Sequence, residues 1–361
     1  MVSTENVIGV IGGLGNEAMV DLAKKIQSVS GYAQNSYVFY GNSRLAYKPH
    51  EVGQPWKPED EPELRKKATA EHSARIMHFL GCGTVGLACN SAHELFREVM
   101  PALPLTFVDM IYETAQSLSG IGTKVLVLGV DSLVNSGLYH RALNQYGVQA
   151  VSPSAQNMVK VMSSIYDTGF GIKTAKITPE AEKMLCEVIT DECERQGCRA
   201  VVLGCTELPL ALTAESCACF KRDSLIPHDV KIVDASAVLA GSLVESACAG
   251  RLPESDLDFS PTVNTDWFPP AVFILDTLEE LVEVQSEIIR LTVKHLDEKG
   301  TRLKGSYMHL PTLFAVGNPP GFFSRAKALS GYVSGMHENW RCSLADILEE
   351  NFSSMSGCFS M

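Results

Sequence analysis

The sequence predicts an α/β fold: two doubly wound, parallel-sheet halves facing one cleft, followed by a C-terminal, mostly helical extension. Two observations predict it. Short apolar runs alternate with helical patterns over the first 250 residues, as expected of βαβ units with helices on both faces of each sheet. The second is an internal echo, in which Val85-Gly86-Leu87-Ala88-Cys89-Asn90-Ser91 resembles Val201-Val202-Leu203-Gly204-Cys205-Thr206-Glu207. Residues 7–12 likewise match residues 125–129; Gly12 precedes Cys89 by 77 residues and Gly129 precedes Cys205 by 76. A duplicated unit is the simplest source of such spacing.

The elements follow in order. Residues 7–11 form an apolar strand, broken by the turn Gly12-Gly13-Leu14-Gly15. From Asn16 onward, Ala18, Met19, Leu22, Ala23 and Ile26 recur at helical spacing. Further strands are expected at 36–40, 84–88, 105–108, 124–128, 200–203 and 231–233, and a polar helix at 63–80. The first half should comprise residues 1–108 plus about 230–250, and the second residues 109–229. Beyond 250 the character changes. Prolines at 253, 261, 269 and 270 read as a linker, residues 274–296 as an amphipathic helix, and the Gly-, Ser-, Phe- and Pro-rich tail as a packing or oligomer contact.

Composition narrows the function classes. A chain of 361 residues, 45% apolar and 20% charged, has material for two cores and is not a disordered chain. A net charge of −12 argues against nucleic-acid and anionic-membrane partners. No apolar run reaches the ~20 residues of a membrane span, and the N-terminus lacks the features of a secretory signal. Eleven cysteines, odd in number and irregularly spaced, contain no Cys-x-x-Cys pair. A disulfide framework or structural zinc is therefore not expected, and a reducing cytoplasm is.

Cys89 and Cys205 carry the chemistry. Each stands where a buried strand should end and a helix begin, at the carboxyl edge where open α/β sheets bind ligands. A helix N-terminus should lower a thiol pKa from its usual ~8.5. Two such thiols across one cleft suit a reaction in which one removes a proton from carbon and the other delivers one to the opposite face. Asn90, Ser91, Thr206 and the amides of the glycine turn could bind a carboxylate, on whose oxygens charge builds as the adjacent proton leaves. His93 and Glu207 could orient or tune the thiols.

Taken together, Ile8-Gly9-Val10-Ile11-Gly12-Gly13-Leu14-Gly15, Ala88-Cys89-Asn90-Ser91-Ala92-His93 and Leu203-Gly204-Cys205-Thr206-Glu207 resemble the aspartate/glutamate racemase superfamily, the aspartate racemase branch most closely, over residues 6–250. The resemblance implies pseudo-symmetric domains and a two-base mechanism without pyridoxal phosphate, metal or nucleotide. It makes Cys89 the base for the D-enantiomer and Cys205 the base for the L-enantiomer. It also implies a small acidic amino acid as substrate and a homodimer as the assembly. The α-carboxylate would meet the turn from Gly12 to Asn16 with Asn90, Ser91 and Thr206, beside Glu207; the distal carboxylate would meet Lys48 and Lys173. The family commonly has Met and Pro where Leu14 and Asn16 stand, and Thr at Ser91. The branch uses arginine in the loop that here supplies Lys48, or Arg44 if the loop is rearranged. Lysine replaces a planar fork by a point charge.

Other readings are weaker. Gly13-Leu14-Gly15-Asn16-Glu17-Ala18 fits a dinucleotide fingerprint, but no acidic residue lies between Asp21 and Glu51 to bind a ribose. No Walker lysine motif follows a glycine turn. Maleate-type isomerases and hydantoin racemases are superfamily neighbours. Arylmalonate decarboxylases match only one cysteine. A non-catalytic amino-acid-binding regulator would have no need of two thiols.

Overall fold

The computed structural model describes residues 7–13, 16–30, 35–42, 45, 62–174, 177–249, 271–298, 312–317, 319–328, 335–337 and 344. Each half builds four parallel strands. In the first they are β1 (Val7–Gly12), β2 (Tyr37–Gly41), β3 (Cys82–Leu87) and β4 (Thr106–Val108), in the spatial order β2-β1-β3-β4. In the second they are β5 (Lys124–Leu128), β6 (Ala150–Val151), β7 (Cys198–Leu203) and β8 (Lys231–Asp234), in the order β6-β5-β7-β8. Numbered from its own first strand, each half has the same order.

The repetition extends to an irregularity. Between β1 and β3 the register slips after Val7↔Cys82, so that Ile8 pairs with Thr84. Between β5 and β7 it slips after Lys124↔Cys198, so that Val125 pairs with Ala200. At the far end the Ala88 amide donates to the Ile11 carbonyl at 2.8 Å, and the Gly204 amide to the Leu128 carbonyl at 2.6 Å. These matching bonds close each central pair one residue before Cys89 and Cys205.

The central strands are largely apolar because both faces are covered. Side chains alternate along β1. Ile8 and Val10 face a core that continues into Val125, Val127 and Val201 of the second half, while Val7 and Ile11 face a separate core with Val38, Tyr40 and Leu87. On the first face, Met19, Leu22, Ala23 and Ile26 of α1 (Asn16–Ser30) are buried, one stripe of the helix. On the other, α2 (Pro62–Phe79) contributes Ala70, Ala74 and Met77, and α3 (His93–Val99) contributes Phe96.

Further helices are α4 (Met110–Ser117), α5 (Asp131–Ser136), α6 (Leu138–Gln145), α7 (Ala155–Tyr166), α8 (Pro179–Gln196), α9 (Leu208–Ala211), α10 (Ala214–Arg222) and α11 (Ala235–Ala249). α7 packs on α8, and α8 on β5 and β7; α11 packs back on α1, α4 and β3. The chain thus re-enters the first half with α11, after β8, which pairs with β7. A return at about 230 would assign β8 to the first half, but its backbone hydrogen bonds belong to the second sheet. The two-residue strand β6 is too short to stand out in the sequence.

Among its described residues the C-terminal region is helical in its larger part, with α12 (Leu278–Glu298) and α13 (Phe322–Ala328). It also contributes β9 (Ala271–Leu275), β10 (Thr312–Val316) and β11 (Gly335–His337), which extend the first sheet to β11-β9-β10-β2-β1-β3-β4. β10 runs antiparallel to β2, and Phe314 stacks on Phe273 of β9 with ring centroids 5.2 Å apart. The expected helix from 274 begins at Leu278 because Ile274 and Leu275 are in β9. Its start is fixed by Thr277, whose hydroxyl accepts from the Glu280 amide (3.1 Å), while the Glu280 carboxylate accepts from the Asp276 amide (2.8 Å). The expected proline linker lies outside the described residues.

Candidate active site

The turn after β1 opens with Gly13 at φ +106°, and a Cβ there would collide with the backbone of Asn42. Leu14, Gly15, Arg44 and Lys48 lie outside the described residues, as does the side chain of Asn16, the first residue of α1.

Cys89 is 9% exposed, with Sγ 3.5 Å from the Ser91 hydroxyl. Its turn is held by His93. The Met110 amide donates to His93 Nε2 at 3.1 Å, which leaves Nδ1 as the protonated nitrogen, donating to the Cys89 carbonyl at 2.7 Å. The ring is fully buried, and burial pushes its pKa down, so it acts as a neutral brace between the Cys89 turn and the start of α4.

Cys205 is 7% exposed and donates to Glu207 Oε2 at 2.9 Å; the Thr206 hydroxyl donates to the same oxygen at 3.3 Å. Glu207 Oε1 is ion-paired with Lys173, which lies in a 3-10 turn at Ile172–Thr174. The Lys173 ammonium also sits 5.7 Å from the ring centre of Tyr166. Burial is the largest single influence on both Lys173 and Glu207 and works against their charges, but the opposing contacts together outweigh it: Glu207, Cys205 and Tyr166 raise the lysine pKa, and Lys173 with the Cys205 hydrogen bond lowers that of the glutamate. The distal-carboxylate ligand expected at Lys173 therefore already has an internal carboxylate partner.

Both thiols lie in one electrostatic environment. Burial pushes the Tyr166 phenol up to about 12, and the charges of Lys173, Cys205, Glu207 and Cys89 all act on it. The expected lowering of the thiol pKa values is not found. Burial raises that of Cys89, against the hydrogen bonds of Ser91 and the Ala92 backbone, and it raises that of Cys205 strongly, with Glu207 adding to the effect. Desolvation exceeds what the short helices behind these turns supply.

Besides Tyr166, two residues near the cysteine turns were not singled out by the sequence. Glu17, in the first turn of α1, has a buried Oε1 without a hydrogen-bond partner. Burial raises its pKa, and Lys173 and Glu207 both act on it. In sequence it reads as an ordinary acidic residue at a helix start. Tyr139, in α6, donates to Asn90 Oδ1 at 2.6 Å and leaves Asn90 Nδ2 as a buried donor without a partner. Among the described residues no three His, Cys, Asp or Glu side chains gather as metal ligands, and no helix is long and apolar enough to cross a membrane.

Residues 8–243 match the Asp/Glu/Hydantoin racemase family model. The chain belongs to the Asp/Glu/hydantoin racemase family. It is 23% identical over 252 residues to the broad specificity amino-acid racemase RacX of Bacillus subtilis, a match covering 67% of this chain and 99% of that protein. Among solved structures it is similar to the Picrophilus torridus aspartate racemase (25% identity, TM-score 0.52, covering 69% of this chain and 96% of that one). It is also similar in fold to an aspartate racemase homologue from Pyrococcus horikoshii OT3 (23% identity, TM-score 0.51, covering 67% and 99%). Family membership makes this racemase an isomerase. Its matched region ends before β9, so the three added strands and α12 lie outside the family model.

Proposed function

We propose that this racemase interconverts L- and D-aspartate by two-base proton transfer between Cys89 and Cys205, without a cofactor. The observation that carries the reading is the pair of buried thiols at equivalent strand ends of the two halves, both acting on Tyr166. One thiolate takes the α-proton while the opposite thiol delivers its own, and the carbon inverts. The reverse reaction exchanges the roles.

The two thiols are not equivalent. Cys205 donates to a carboxylate that Lys173 keeps ionised, which favours its thiol form; Cys89 is hydrogen-bonded to the Ser91 hydroxyl and the Ala92 backbone, which favour its thiolate. At rest Cys205 is the proton donor and Cys89 the group that gives up its proton more readily. Charge developing on the substrate carboxylate is met by the Gly13 turn, Asn90 Nδ2 and Ser91, while the Thr206 hydroxyl is engaged by Glu207. The low polarity that raises both thiol pKa values strengthens each of these bonds.

The experiment is incubation with L-aspartate in deuterated water, which should give D-aspartate and α-deuteration together. Exchange without inversion would leave a one-base enzyme. Absence of both, with aspartate and with a panel of L-amino acids, would remove the reading. The Lys173–Glu207 pair favours a second reading, a racemase of broad side-chain specificity, since a lysine already neutralised selects less sharply for an acidic side chain. Similar rates on neutral and acidic amino acids would establish it.

A further inference from the structure

We propose that Tyr139 is a positioning residue that spaces the two cysteine turns and aims the Asn90 amide at the substrate carboxylate. This rests on the racemase reading of the site. Tyr139 is 1% exposed and belongs to α6 of the second half. Its hydroxyl crosses to the first half and donates to Oδ1 of Asn90, the residue after Cys89, at 2.6 Å. Its ring lies against Gly204, the residue before Cys205: a Cβ built there would stand 3.1 Å from Tyr139 Cε2, 3.0 Å from a Leu133 methyl and 2.9 Å from the Leu128 carbonyl oxygen. One rigid side chain thus touches the neighbour of each thiol.

The hydrogen bond also sets an orientation. A flipped amide would donate to the phenol oxygen instead and turn Oδ1, an acceptor, toward the carboxylate, so the arrangement that pairs every group with substrate bound has Oδ1 on the phenol and Nδ2 on the substrate. Nδ2 is buried without a protein partner, an arrangement that costs stability unless a ligand supplies the acceptor. A carboxylate oxygen is the acceptor the reaction provides. Burial raises the Tyr139 pKa, so the phenol remains a donor across the working range.

The test compares Tyr139→Phe, Asn90→Ala and the double variant. Tyr139→Phe keeps the ring against Gly204 and removes the hydroxyl, with its crossing bond and its contact with Thr114; kcat/KM for L-aspartate should fall about tenfold, less than the loss of a whole oxyanion donor. The double variant should be no slower than Asn90→Ala alone, because both substitutions remove the same aimed donor. Independently of activity, the Asn90 side-chain amide resonances of selectively labelled protein should shift in Tyr139→Phe and lose their response to added L-aspartate. Additive kinetic losses, or amide resonances that Tyr139→Phe leaves unchanged, would overturn the proposal. A wild-type protein that exchanges no α-proton sinks the racemase reading instead, and the amide resonances then still decide whether Tyr139 fixes Asn90.

Discussion

Glu207 accepts the Cys205 thiol at 2.9 Å on one carboxylate oxygen and the Lys173 ammonium on the other. The carboxylate therefore does two opposing things. It holds the thiol proton in place, and it fixes the lysine whose charge would otherwise draw that proton off. Among the described residues no carboxylate accepts the Cys89 thiol, which meets the Ser91 hydroxyl, so two similar strand ends carry thiols of different character.

Replacing either cysteine tests the core of the reading. Cys89→Ala and Cys205→Ala should each abolish racemisation, since inversion needs a donor and an acceptor on opposite faces. Thermal melts should change little, because a small buried side chain is replaced by one of similar volume. Full activity in either variant would remove the two-base mechanism.

Glu207→Gln separates the roles of the carboxylate. The neutral amide no longer repels a thiolate, so the Cys205 pKa should fall, and alkylation by iodoacetamide at a fixed pH should be faster. Lys173 would meanwhile be left buried without its counter-charge, at about 3 kcal/mol in stability. Unchanged alkylation kinetics would count against the assigned coupling.

Much of this site is visible in the sequence. Cys89 and Cys205 follow apolar runs with the same spacing from a strand-end glycine, and strand ends of a parallel sheet gather ligands, so pattern and topology agree. Glu17, Tyr139 and Tyr166 were not legible. None is a residue whose spacing marks it, and each is brought to the cysteine turns by packing between segments distant in sequence. The thiol pKa values were misjudged for a related reason. A helix start is visible in sequence, whereas the burial that overrides it is a property of the assembled cleft. Strands β9 and β10 escaped because five-residue apolar runs beside prolines and glycines do not stand out, and β11 because it is three residues long.

Stability should depend on pH through His93. Burial lowers its folded pKa below the ordinary 6.5, as it does for His78 and His140. Between the folded value and 6.5 the unfolded chain binds more protons, so stability is full above about pH 6.5 and falls as the pH drops below it. The melting temperature should be level from pH 8 to 7 and decline toward pH 5, and His93→Gln should flatten part of that decline. A melting temperature that rises on acidification would contradict the bracing role.

Removal of residues 271–361 should damage the first half rather than release an independent appendage. It strips β10 from β2 and α12 from α1, exposing apolar side chains that include Phe39 and Ile26. Aggregation on expression is the expected outcome. A soluble, fully active product ending at residue 270 would show the strands to be dispensable.

The antiparallel pairing of β10 with β2 has one more consequence. A sheet margin ordinarily offers a free row of amides and carbonyls to any passing chain, and here that row is spent internally, from Thr312↔Gly41 to Val316↔Tyr37. Any self-association of this racemase must therefore be built from helices, loops or the remaining rims, because the seam along β2 has been sewn shut by its own tail.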